Sequence, residues 1–117
     1  MRLTFGQTVA FDAQWRRLRL TDEDLQALES LIMERPEAGV VMQGTGGLRK
    51  IRFAPPSWHT GKSGATRVCY VAYTEFGHCL LVELFAKNEK VNLSAAGKMA
   101  ARRAVEAFRR RLLSERS

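Results

Sequence analysis

The chain has 117 residues, 45% of them hydrophobic, which suits one domain around a single core. Its formal charge of +7 and isoelectric point near 10.1 point to a polyanionic partner. This composition argues against global disorder, and no apolar run approaches the ~20 residues of a membrane span. Met1-Arg2 is not followed by the apolar stretch of a signal peptide, because Gly6-Gln7-Thr8 and Asp12 interrupt it, so a cytoplasmic protein is expected.

Arg2 to Phe5 reads as a short first strand. Val9, Phe11, Ala13, Trp15 and Leu18 fit a first helix loosely, from about Thr8 to Arg17. Thr21 is a good N-cap, and Asp24 three residues on completes a box-like pair. Leu25, Leu28, Leu31 and Ile32 then mark the buried stripe of a second helix, which Pro36 and Gly39 end.

A strand follows from about Leu48 to Phe53, with Ile51 and Phe53 on one face and Lys50 and Arg52 on the other. Pro55-Pro56 stops it, and Ser57 to Thr66 is a polar loop. Arg67 to Thr74 and His78 to Lys87 form a hairpin around Glu75-Phe76-Gly77. Leu93-Ser94 caps a last helix to about Leu113, with Ala101, Val105, Phe108 and Leu112 as its apolar stripe. The order predicts a single α+β domain over residues 1–117: a small, mainly antiparallel sheet with two N-terminal helices and a C-terminal helix.

In this hairpin, residues whose numbers sum to about 152 should pair, which puts Cys69 opposite Glu83 and Cys79 opposite Tyr73. The two sulfurs are then roughly 13 Å apart at ~3.3 Å per residue, too far for a disulfide. Both cysteines read as small buried apolar residues. Val68, Tyr70, Ala72, Leu80, Val82 and Leu84 are expected on one face, and Cys69, Val71, Tyr73, Leu81 and Phe85 on the other. A sheet apolar on both faces needs two covers, and a partner protein is a candidate for part of the second.

Charge is unevenly distributed. Between residues 22 and 37 six carboxylates face Arg35 alone, while residues 98–117 hold seven cations against Glu106 and Glu115. From Gln43 to Arg67 the chain carries Arg49, Lys50, Arg52, Lys62 and Arg67 and no carboxylate. Strand parity sends Lys50, Arg52, Arg67 and Lys87 toward the sheet end far from the hairpin turn, with Lys62 in the loop before Arg67. Cations fixed at one mouth can hold a phosphodiester and offset the charge of a phosphorane-like transition state. A lysine crowded by other cations also releases its proton more readily, which suits general acid–base work.

Other chemistries are poorly supported. No CxxC, HExxH or EF-hand pattern occurs, and two histidines 19 residues apart make a poor metal site, so no metal or cofactor is expected. The run Gly44-Thr45-Gly46-Gly47-Leu48-Arg49-Lys50 resembles a phosphate-binding loop but lacks the GK[ST] ending and leads into a strand. His59 reads as either an acid–base group or, by preference, an exposed loop residue, and Trp58 as either a base-stacking group or loop packing. Glu89 is either a base or, by preference, the neutraliser of a neighbouring cation.

Three segments, QGTGGLRKIRF, GKSGATRVCYVAY and FAKNEKVNLS, together resemble the RelE-like toxins of bacterial toxin–antitoxin pairs, in particular the HigB-type branch. The likeness runs from about Leu20 to Phe108. It implies a metal-independent endoribonuclease that cuts messenger RNA in the ribosomal A site, by attack of a ribose 2′-hydroxyl on the adjacent phosphate. Arg67, Lys87 and Lys62 would be the catalytic group, and Arg49, Lys50, Arg52, Trp58 and Asn88 would bind RNA. A cognate antitoxin, of helix-turn-helix type, is the implied partner beside the ribosome and its mRNA. Asn88 and Ser94 stand where some relatives carry an arginine and a tyrosine, which leaves the proton-transfer group open. The alternatives are a related toxin acting on DNA gyrase, which needs no convergent cations, and a non-enzymatic nucleic-acid module with aromatics on an open sheet. Tyr70 and Tyr73 are the aromatics that would serve the latter.

Overall fold

A computed structural model describes residues 1–59, 65–87, 89 and 92–116. Among these described residues, five strands and three helices follow in the order β1 (Thr4–Gln7), α1 (Val9–Arg17), α2 (Asp22–Glu34), β2 (Val40–Val41), β3 (Arg49–Phe53), β4 (Thr66–Tyr73), β5 (His78–Ala86) and α3 (Ala95–Arg116). A 3-10 turn, Pro56–Trp58, follows β3. The sheet order is β1-β5-β4-β3-β2, with β1 parallel to β5 and the other pairs antiparallel. This is the α+β architecture expected from the sequence, with the two-residue β2 added. Among the described residues no helix is long and apolar enough to cross a membrane.

The helices start where their caps dictate. Thr8 Oγ1 accepts the Phe11 N–H at 3.0 Å and donates to the Val82 carbonyl at 2.7 Å, joining the start of α1 to β5. Only Phe11 and Trp15, four residues apart, are buried along α1, and Val9 stands exposed. That explains the loose periodicity: one turn of the helix, not a full stripe, meets the sheet. At α2, Thr21 and Asp24 form the full capping box, each side chain bonded to the other's backbone N–H.

The hairpin register differs from the uniform pairing expected. From Thr66 to Cys69 the partners run Ala86 to Glu83, as the sum of 152 requires. An irregularity at Cys69/Tyr70 then pairs Tyr70 with Leu81, so Val82 is an extra residue and Cys79 faces Ala72 rather than Tyr73. The bulge exchanges faces along β5. Leu80 and Val82 join Cys69, Val71 and Phe85 beneath α3, while Leu81 joins Val68, Tyr70 and Cys79 beneath α1 and α2. Cys69 and Cys79 therefore belong to separate cores and are not bridged to each other, and burial pushes the Cys79 thiol up to about 12.

Both covers of the sheet come from this chain. Ala101, Val105, Phe108 and Leu112 of α3 are buried on one face, and Phe11, Trp15, Leu28 and Ile32 close the other. Each of the larger side chains among these contributes roughly 1.5–3 kcal/mol through burial. The chain's own helices thus lie on both apolar faces of the sheet.

Gly39 sits in a tight corner. A Cβ there would lie 3.0 Å from Arg49 Cβ and 3.0 Å from the Tyr70 ring and hydroxyl. The Tyr70 hydroxyl accepts the Gly39 N–H at 3.1 Å and donates to the Pro36 carbonyl at 2.8 Å. We therefore expect Gly39→Ala to lower stability by about 1–3 kcal/mol, the usual range for overpacking, as read by urea denaturation. Unchanged stability would show that this connection can shift away from β4.

Candidate nucleic-acid interface

β2 pairs only with Arg49 and Lys50, so no strand flanks the outer edge of β3 at Ile51, Arg52 and Phe53 among the described residues. A cleft of about 930 Å³ opens there between that edge and α2. Its apolar wall comes from Ala27 and Leu31 of α2, from Ala38 and Val40, and from Ile51 and Phe53. Its cationic wall holds Lys50, Arg52, Arg67 and Lys87.

Register explains why cations from β3, from β4 and from the turn just after β5 meet. Arg52 lies directly opposite Arg67, and Lys50 lies opposite Cys69, so Lys50, Arg52 and Arg67 share one face of the sheet. Arg67 faces Phe85 on its other side. The Lys87 N–H continues the ladder by donating to the Ala65 carbonyl at 3.2 Å. Lys87 is thus a diagonal neighbour of Arg67 on the same face, at a backbone separation of roughly 7–8 Å. The start of β4 is pinned by Thr66, whose buried Oγ1 donates to the Phe53 carbonyl at 2.8 Å.

Like charges placed directly across a strand pair destabilise a sheet. Here Arg52 meets Arg67 with no carboxylate paired to either, or to Lys87, among the described residues. The Arg67 guanidinium spends one donor on the adjacent Thr66 carbonyl at 3.3 Å. Its other N–H groups remain for an oxyanion.

The remaining candidates separate. Arg49 pairs with Tyr70 on the opposite face, where its Nη1 donates to the carbonyls of Glu37 at 3.0 Å and Gly39 at 2.8 Å. It fastens the connection after α2 and does not join the cationic wall. Trp58 is half-buried on the 3-10 turn and is not part of the cleft wall. Lys62 and Asn88 lie outside the described residues. His59 is exposed, with a left-handed φ of 51°. Glu89 does neutralise a cation, but that cation is Arg17 on α1, 72 residues away.

Tyr70 is fully buried with its hydroxyl bonded on both sides, and burial raises its ionisation above the ordinary tyrosine range despite the Gly39 N–H and nearby Arg49. Tyr73 packs against Phe76 and stacks on Phe108. Neither ring lies open on the sheet, so the aromatic platform of a stacking nucleic-acid module is missing at these two positions.

Two features of the site were not read from the sequence. One is the apolar wall, which Ala27 and Leu31 signal only as ordinary helix residues. The other is Asp24, whose carboxylate reaches beyond its own helix. Oδ1 accepts the Ser57 N–H at 3.0 Å and Oδ2 accepts the Ser57 hydroxyl at 2.6 Å. Asp24 thereby ties α2, one side of the cleft, to the turn that follows β3. Among the described residues no group of three or more His, Cys, Asp or Glu side chains could hold a metal ion. No family model matches the chain.

Proposed function

We propose that this protein is the toxin of a toxin–antitoxin pair, a ribosome-dependent endoribonuclease that cuts messenger RNA at the cationic cleft. The observation that carries this reading is the opposed pair Arg52 and Arg67, in one cleft with Lys50 and Lys87. Such a pair is unfavourable for the sheet alone and is accounted for by a bound polyanion. The α+β order and the three sequence segments that resemble the HigB-type branch of the RelE-like toxins support the same reading. On this account Arg67 and Lys87 contact the scissile phosphate, while Lys50 and Arg52 hold the flanking backbone. The reaction needs no metal: the 2′-hydroxyl oxygen attacks the phosphorus and the 5′-oxygen leaves, giving a 2′,3′-cyclic phosphate.

No acid–base pair is assigned within the cationic wall, so substrate geometry is left to the ribosome. Orienting reactants can be worth several kcal/mol, on the order of 7 or more in favourable cases. Mapping the 5′ ends of translated and untranslated copies of one transcript tests this. Cuts are expected only in the translated copy. Efficient, salt-sensitive cutting of naked RNA would indicate an autonomous nuclease instead.

A cognate antitoxin would be the physiological inhibitor, and the cations offer it a docking point for carboxylates. Arg67→Glu combined with Lys87→Glu should weaken that complex strongly if the antitoxin covers the cleft. Unchanged affinity would place inhibition in added bulk that keeps the toxin out of the ribosome.

A further inference from the structure

The turn after β5 is fastened to α1 by a two-pronged ion pair. Arg17 Nη1 and Nη2 each donate to one oxygen of the Glu89 carboxylate at 2.7 Å. Arg17 Nε is held in turn by Gln14 Oε1 at 2.8 Å. On its other side Glu89 is bonded back to the end of β5: its Oε1 accepts the Ala86 N–H at 3.3 Å and its own N–H donates to the Ala86 carbonyl at 3.0 Å. Lys87 lies inside this closed turn, with its own N–H spent on Ala65.

Stability is a poor explanation for this arrangement. Both side chains are substantially exposed, at 47% for Arg17 and 39% for Glu89, and exposed ion pairs add little to folding. What a guanidinium fork supplies is direction, because two parallel hydrogen bonds fix the carboxylate's plane as one contact cannot. Electrostatics point the same way. Glu89 is two residues from Lys87 and carries the charge that would offset it, yet both of its oxygens are engaged by Arg17. The hydrogen bonds that Arg17 donates to Glu89 raise the Arg17 pKa above its already high ordinary value, so the guanidinium stays charged.

We infer that Arg17 and Glu89 are positioning residues, which set the turn so that Lys87 enters the cleft with its charge undiminished. The inference rests on reading the cleft as a phosphodiester site. Its test compares wild type with Arg17→Ala, Glu89→Ala and the double variant in ribosome-dependent cleavage. The lysines are also labelled by reductive 13C-methylation, and the Lys87 signal is assigned by its loss in Lys87→Arg. Each single variant is expected to cut more slowly by about tenfold to a hundredfold, the scale of an ångström-level misplacement. Ribosome affinity and melting temperature should hold, and the double variant should be no worse than either single one. The Lys87 signal should move in both single variants. A Lys87 signal identical to wild type in Arg17→Ala would overturn the inference, as would losses that add in the double variant. A moved signal in a chain that cuts no RNA would support the positioning of Lys87 and sink the ribonuclease reading alone.

Discussion

Arg67→Ala is expected to abolish growth arrest while leaving the fold intact. The side chain stands on the cleft face of β4, and its one hydrogen bond is to the neighbouring Thr66 carbonyl at 3.3 Å. No ion pair is lost with it among the described residues, and its removal relieves the repulsion with Arg52 across the strand pair. The folded state should therefore be as stable as wild type, or slightly more so. Cleavage should behave oppositely. Deleting one preorganised donor to a developing oxyanion costs about 3–4 kcal/mol, on the order of a hundredfold to a thousandfold in rate. Circular dichroism and thermal melting would establish the fold, and single-turnover cleavage on programmed ribosomes the rate. Full activity in a folded Arg67→Ala protein would remove this residue from the catalytic group.

The second large effect is on stability. Asp24→Ala should lower it by about 3 kcal/mol or more, because hydrogen bonds to a charged carboxylate are worth roughly 1.5–3 kcal/mol. The carboxylate is fully buried and accepts three bonds, from the Thr21 N–H and from the Ser57 N–H and hydroxyl. For a domain of this size the loss is a fall in melting temperature of about 10 °C or more. The same contacts determine a pH dependence. Burial alone would raise the Asp24 pKa, but the bonds from Ser57 and Thr21 outweigh it and hold the carboxyl below its ordinary value of 3.8. A depressed folded pKa contributes stability that is fully present above the unfolded value and is lost as pH falls through the folded one. Wild type should therefore lose stability more steeply than Asp24→Asn below about pH 4, where the unfolded carboxyl begins to protonate. Parallel acid titrations of the two proteins would refute this assignment of charge.

The consequences of losing Asp24 extend to function. Its bonds to Ser57 hold the turn after β3 against the start of α2, and Ala27 and Leu31 of that helix form one side of the cleft. Activity should fall in Asp24→Ala even at temperatures where the protein remains folded.

How much of this was legible in the chain depended on range. Thr21 and Asp24 are three residues apart and lie within one helical turn, so their capping box was readable. Ala101, Val105, Phe108 and Leu112 repeat at helical spacing, and all four are buried. The strand alternation of Lys50 and Arg52 against Ile51 and Phe53 put the cations on the face they occupy. Local periodicity carries such information because each side chain's direction follows from its immediate backbone.

Other features had no local signature. The bulge at Cys69/Tyr70 inserts Val82 and exchanges the faces of Leu80, Leu81 and Val82, and both sides of that strand are apolar. Alternation of polar and apolar residues, the signal that pins register, was therefore absent there. Arg49 looked like one more cation of the basic strand. It became a structural donor only because the connection after α2 folds back to present two carbonyls. Arg17 and Glu89, 72 residues apart, could not be matched in advance.

By itself the sequence determined the three helices and four of the strands, the mainly antiparallel α+β class and the sheet face that carries Lys50 and Arg52. These follow from periodicity, capping and strand parity, which act over a few residues. Strand parity also brought Lys50, Arg52, Arg67 and Lys87 to one sheet end, where the cleft holds them; tertiary structure alone decided which cations are consumed by carbonyls or carboxylates, and that both sheet faces are covered from within. Those outcomes turn on strand register and on helices packing from distant parts of the chain. A single bulge or one long-range ion pair redirects them at almost no cost to the local pattern.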